Sequence, residues 1–411
     1  MIYPVISFFL IFLGLIPISL FGVSGIYLSF PLLLIWTIVS LCKNKCIYIK
    51  KRNALITCSF IILILFVSFV PLLHAENYYD LIKMTSYGLF IYSSCSLLIY
   101  CHNVTFGEKS NLIILRNIYI VGTLNALVAV LVLIVPSIRS IIYSVIDTSP
   151  LNEVHLDIGM RSSGLFYFGG SIMSAFHCLI IYIGMLYASN FKRKISVYDY
   201  TCILINILGV FVSGRFGFLF LIVMFIFLML INQKKSLVRK KIIINISLLA
   251  IAVILLLLIE YYEHLKRLLD WGLEIFINYF KSGKLESHST DILKTMYHLP
   301  NNILFGNGVF SQIELSTDSG FILLIWYFGI IALIFYFFVF FVHFVVASSS
   351  TNVYMRNIFF VALSITLIGN FKDIYLFASN GITQIYIIAL IICSSNYGEY
   401  KKNDGAKRYK S

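Results

Sequence analysis

The sequence predicts an all-α fold: a polytopic integral membrane protein of about twelve transmembrane helices, forming one membrane domain over residues 1–411. Three observations predict it. Hydrophobic residues make up 60% of the chain, and the mean hydropathy is +0.93. Charged residues make up 12%, about half the share of a soluble domain. Apolar runs long enough to cross a hydrocarbon layer of ~30 Å recur from end to end.

The N-terminal run MIYPVISFFLIFLGLIPISL lacks a basic leader and a small-residue cleavage site, so it reads as the first span rather than a signal peptide. Spans are expected near 3–20, 24–41, 54–73, 82–101, 112–136, 165–188, 199–212, 216–231, 242–259, 319–346, 356–370 and 380–395. An even number of spans puts both termini on one side. The connecting segments on that side hold 21 of the 31 Lys and Arg residues but 4 of the 18 acidic ones. The positive-inside rule makes it cytoplasmic. The high pI therefore reflects topology and anionic inner-leaflet lipid, not nucleic acid.

The eight cysteines fall in spans or on the cytoplasmic side, so no disulfide framework is expected. Cys42 and Cys46 lack a second Cys or His pair and read as two juxtamembrane thiols. No D-x-D or similar acidic pair marks a nucleotide-sugar site with a bridging cation, so neither metal nor cofactor is expected.

Two outer segments are long, 137–164 and 260–318, and long connections commonly carry function. The second opens with helical periodicity. Leu265, Leu268, Gly272, Phe276 and Tyr279 share one face, opposite His264, Arg267, Asp270, Glu274 and Lys281. This is the pattern of an amphipathic helix lying along the outer boundary, or of a peripheral packing helix. A second short helix is expected over 290–299, and LFGNG then reads as a turn.

The stretch FVSGRFGFLFLI places Arg215 between apolar runs. As two spans, 199–212 and 216–231 keep the basic clusters FKRK and NQKKSLVRK on one side. The hairpin tip then lies below the outer headgroups, with Ser213 and Gly214 in the turn. Ser213 can cap the next helix, whose amides favour an anion. The Arg215 guanidinium adds a fork suited to phosphate. Arg161 is its counterpart in GMRSSGLFYFGGS, beside Ser162, Ser163 and Gly164. Each arginine alone could be a snorkelling headgroup anchor; two, each in a Ser/Gly turn at the outer mouth, point to an anionic ligand.

These stretches resemble the Wzy-type oligosaccharide-repeat-unit polymerases of the O-antigen polymerase and ligase superfamily. The resemblance rests on RSSGLFYFGG, SGRFGFLFLI, NNILFGNGVF followed by TDSGFILLIWYFGIIAL, and GNFKDIYLFASNGITQI, covering roughly residues 155–390. It departs from the family where an arginine is followed ten residues later by glycine: Arg161 has glycines at eight and nine, and Arg215 has none at that distance. Where ligases carry a histidine before the span after the large loop, this chain reads Thr317-Asp318-Ser319.

The resemblance implies a GT-C-like, metal-independent glycosyltransferase of the bacterial inner membrane, facing the periplasm. It would transfer a growing glycan from undecaprenyl diphosphate to a repeat unit on the same carrier, and a chain-length regulator is a partner it allows. Arg161 and Arg215 would neutralise the diphosphate. Asp318 would take the acceptor proton, or cap the following helix instead; His288 and Glu314 are rivals for the base. Lys372 and Asp373 in GNFKDIY would pair with each other or supply a further phosphate contact, and Arg267 is a further candidate for substrate binding. His177 and His343 read as buried structural residues. The competing readings are a lipid-linked oligosaccharide flippase or other transporter, and an O-antigen ligase.

Overall fold

The computed structural model describes residues 2–44, 51–74, 79–157, 161–191, 196–214, 216–217, 220–221, 274–283, 295–375 and 377–395. They are mostly helical. The helices are α1 (Ile2–Leu15), α2 (Gly25–Asn44), α3 (Lys51–His74), α4 (Asp80–Phe106), α5 (Ser110–Ile134), α6 (Pro136–Tyr143), α7 (Pro150–Asp157), α8 (Ser171–Phe191) and α9 (Val197–Ser213). After them come α10 (Glu274–Ser282), α11 (Gln312–Leu315), α12 (Gly320–Ser348), α13 (Val353–Gly369) and α14 (Ile382–Ser394).

By length and composition four segments can cross a membrane, or five if a bent pair counts as one span, and four shorter apolar helices accompany them. One of the four, Asp80–Ile134, is α4 and α5 joined by a 3-10 turn at Gly107–Lys109. The expected spans 216–231 and 242–259 lie almost wholly outside the described residues, as do most of the amphipathic helix and residues 290–294.

Outward faces are apolar at helical spacing. Leu28, Leu32, Ile35 and Val39 on α2, Ile62, Leu65, Phe69 and Leu72 on α3, and Ile334, Phe338, Phe341 and Val345 on α12 are all exposed. Stripes of this length, repeated on three helices, suit hydrocarbon rather than water. Inward, α5, α8 and α9 pack together, α4 lies against α2, α3 and α14, and α13 packs on α14.

The expectation of a purely helical chain needs one correction. Two-residue strands β1 (Ser19–Leu20), β2 (Val23–Ser24) and β3 (Ile146–Asp147) form a small antiparallel sheet in the order β2-β1-β3. Asp147 accepts from the Gly22 amide at 2.6 Å and the Ser19 hydroxyl at 2.8 Å. Those two donors hold its carboxyl below the usual range. The α1–α2 turn is thereby tied to the segment that joins α6 to α7.

A second difference concerns α12, expected as one span. It breaks at Gly329, whose φ of 73° and ψ of −176° are not helical, and its halves are bent by 102°. The broken ladder is completed from outside. The carbonyls of Trp326 and Tyr327 accept from the amides of Asn307 (2.7 Å) and Gly308 (3.1 Å). The amides of Ile330 and Ile331 donate to the carbonyls of Ile303 (3.0 Å) and Leu304 (3.4 Å). The ILFGNG stretch is therefore a wedge in a broken helix, and its backbone satisfies four of the groups that the break frees.

Candidate functional site

Four segments distant in sequence meet around Arg161. Its own loop docks on the end of α9, where the Ser162 amide donates to the Val212 carbonyl at 2.8 Å. Gly214, which ends α9, lies against Gly170: a Cβ at 214 would sit 3.1 Å from the Gly170 carbonyl. Gly170 has φ +79°, and a Cβ there would sit 3.2 Å from Arg161 Nη1. The guanidinium thus lies along bare backbone. The Arg161 loop and the hairpin tip are brought together; Arg215 itself lies outside the described residues, as do Arg267 and His288.

Two carboxylates face this arginine. Asp373 follows α13, and its Oδ2 accepts from the Ser171 hydroxyl that starts α8, at 2.9 Å. Its Oδ1 accepts from the Ile374 amide at 2.9 Å. Asp318 lies just before α12 and is exposed. The cap position of α12 is Ser319, not Asp318, and the Ser319 amide donates to the Thr317 hydroxyl at 3.2 Å. The helix start is fixed to the turn after α13 by the Phe321 amide, which donates to the Asn370 carbonyl at 3.1 Å. That anchor brings Asp318 towards Asp373.

Charge and burial conflict at this point. Burial pulls the Arg161 pKa below its ordinary value, while Asp373 and Asp318 oppose that shift. Among the described residues no carboxylate reaches ion-pair distance of Arg161, and its Nε is buried without a hydrogen-bond partner. A half-buried guanidinium left so is costly unless something anionic meets it. Burial also pushes the Asp373 carboxyl above the usual range. The Ser171 hydroxyl and the Ile374 amide oppose this; Asp318 adds repulsion and Lys372 attraction.

His155 on α7 belongs to this group although no pattern in the sequence singles it out. Burial, then the nearby Arg161 charge, lower its pKa from the ordinary value of 6.5, so the imidazole is neutral at neutral pH. Its Nδ1 is buried with no hydrogen-bond partner. A lone histidine in a polar loop carries no spacing signal; only the folded position of α7 reveals it.

Ser162 and Ser163, expected to touch substrate, are part of the turn beside Arg161. Ser162 and Ser163 are buried, and the Ser162 hydroxyl accepts from the Gly164 amide at 3.2 Å. The Ser163 hydroxyl lies 3.5 Å from that of Tyr143. Among the described residues the Ser213 hydroxyl donates to the Gly209 carbonyl, one turn back in α9.

The loop is held from below by a buried polar seam. Asn125 Oδ1 accepts from the Leu165 amide at 2.9 Å, and its Nδ2 donates to His177 Nε2 at 3.3 Å. That direction leaves the proton on Nδ1, which donates to Asn206 Oδ1 at 3.1 Å. Asn206 Nδ2 donates to the Thr123 hydroxyl at 2.8 Å. Asn125→Ala should therefore cost about 1–3 kcal/mol, since it orphans the Leu165 amide and the His177 ring. Thermal unfolding of the purified protein measures it.

The raised Asp373 pKa also sets a pH dependence. The folded state holds this proton more tightly than the unfolded chain, whose value is near 3.8. The stability it contributes is full below that value and is lost as pH rises through the higher folded-state value. Across that window Asp373→Asn should gain melting temperature relative to wild type, then keep a constant offset. Melting curves in detergent from pH 4 to 8 check this.

No protein-family model matches the chain, and neither the curated proteins nor the solved structures contain a match. The site stands on its own geometry. Among the described residues no group of three or more His, Cys, Asp or Glu side chains is placed to hold a metal ion.

Proposed function

We propose that the protein is a membrane-embedded glycosyltransferase that polymerises oligosaccharide repeat units carried on a polyprenyl diphosphate. The observation that carries the reading is Arg161: half-buried, unpaired among the described residues, and facing Asp318 and Asp373. A diphosphate leaving group gains negative charge as the glycosidic bond breaks, and a preformed cation stabilises that charge. Arg215, one residue beyond Gly214, is the proposed second contact. Asp318, exposed beside Arg161, is the proposed base for the acceptor hydroxyl; neutral His155 is the alternative base. Asp373, protonated more readily than an ordinary carboxyl, adds less opposing charge to the anion site.

The bent α12 favours a second reading, a transporter, because discontinuous helices mark many transporter sites. Such sites use freed carbonyls to coordinate ions. Here those carbonyls accept from Asn307 and Gly308, which weighs towards the enzyme.

The glycan banding of a host strain lacking the protein tests the proposal. Loss of the ladder, leaving core plus one unit, supports polymerase. Bare core overturns it in favour of a flippase or ligase. In the complemented strain, Asp318→Asn should shorten the ladder to mostly single units with unchanged protein level. A full ladder removes Asp318 from the proton transfer.

A further inference from the structure

A cavity of about 280 Å³ lies at the ends of α5, α8 and α9 away from the Arg161 loop. It is lined by Arg116, Tyr119 and Ile120 of α5, Tyr187 of α8, and Tyr198 and Asp199 of α9. α5 and α9 begin at this end and α8 finishes there, whereas the Arg161 loop joins the far ends of α8 and α9. Among the described residues the acidic side chain on its wall is Asp199, whose Oδ2 accepts from the Ser196 amide at 3.0 Å and the Ser196 hydroxyl at 2.7 Å, closing a capping box. The Tyr119 hydroxyl donates to the Asp199 carbonyl at 3.1 Å. Arg116 is exposed and forms no ion pair with a carboxylate of the described residues.

The cavity therefore presents one guanidinium among tyrosine rings, with the Asp199 carboxylate held in its capping box. It is near the small end of the range for ligand pockets and much larger than the ~30 Å³ of a water molecule. Tyrosines at helix ends mark the membrane–water boundary. Basic pockets between helices on the positively charged face are where anionic headgroups lodge. In sequence the same side carries Lys109, Lys192, Arg193 and Lys194.

We propose that this cavity binds a phosphate group, carried by an anionic phospholipid headgroup or present as free phosphate, with Arg116 as its charged contact. It is separate from the Arg161 site and independent of what that site does.

Native mass spectrometry of the full chain, extracted from vesicles of equal phosphatidylglycerol and phosphatidylcholine, tests it. The wild type should retain phosphatidylglycerol in preference to phosphatidylcholine. Arg116→Gln should lower that retention about fivefold, the effect of one surface charge, and Arg116→Lys should keep most of it. Thermal shift with inorganic phosphate is the second arm. Stabilisation by millimolar phosphate that Arg116→Gln abolishes, without lipid preference, assigns the site to the free anion. Equal retention of both lipids together with no phosphate shift overturns the proposal. So does an Arg116→Gln protein that melts as wild type and binds both probes equally well.

Discussion

Arg161→Ala should abolish chain extension while leaving the protein as stable as before. Removing a single preorganised group that meets developing negative charge costs roughly 10²–10³-fold in rate. A ladder should collapse to single repeat units at that loss. Stability should move the other way. The guanidinium is half-buried, its Nε lacks a partner, and burial works against its charge, so without substrate its removal relieves a cost. The melting temperature of the purified variant should equal or exceed that of the wild type. Arg161→Lys keeps the charge but not the planar fork, and should restore a short ladder. A variant that loses activity and melts lower would show that Arg161 holds the fold together rather than a ligand.

Gly329→Ala should be among the most damaging single-methyl changes in the chain. An added Cβ would lie 2.1 Å from the Leu304 carbonyl oxygen and 2.5 Å from the Phe305 amide nitrogen. These are backbone atoms of the wedge, so no side-chain rotation relieves the clash. The φ of 73° with ψ of −176° is in addition a region essentially confined to glycine. A loss of roughly 3 kcal/mol or more is expected, seen as low membrane yield and a lowered melting temperature. Gly283→Ala is the matched control. Gly283 also has positive φ, +72°, but nothing lies within 4 Å of its missing Cβ. That variant should lose only the backbone term, about 1–2 kcal/mol. Equal losses at both positions would mean that residues 303–308 do not fill the break.

These two cases show what the sequence could and could not reveal. Long apolar runs and their polar gaps place α2, α3, α4, α5 and α8 to within several residues, because hydrocarbon length alone constrains them. The break in α12 is hidden because GFILLIWYFGIIALIFYFF is apolar on both sides of Gly329. What breaks it is backbone arriving from residues 303–308, which hydropathy does not register. Two-residue strands such as Ser19–Leu20 are too short to show period-two alternation. Within the site, Arg161 and Asp318 are legible because charge next to an apolar run is expensive and needs a reason. Their convergence with Asp373 depends on the Asn370 turn meeting the start of α12, a tertiary contact. The Ser162 and Ser163 hydroxyls could serve substrate or turn equally well from sequence; their burial in the turn is visible only in the fold.

The Asn125–His177–Asn206–Thr123 connections clasp α5, α8 and α9 at mid-depth through bonds whose polarity is fixed by the Leu165 amide. Sliding any one of these helices along its axis would break several directional contacts at once, which opposes such a motion. If Arg161 serves a lipid-borne substrate as proposed, these bonds lie beneath it, and its product would leave sideways rather than downward between the three helices.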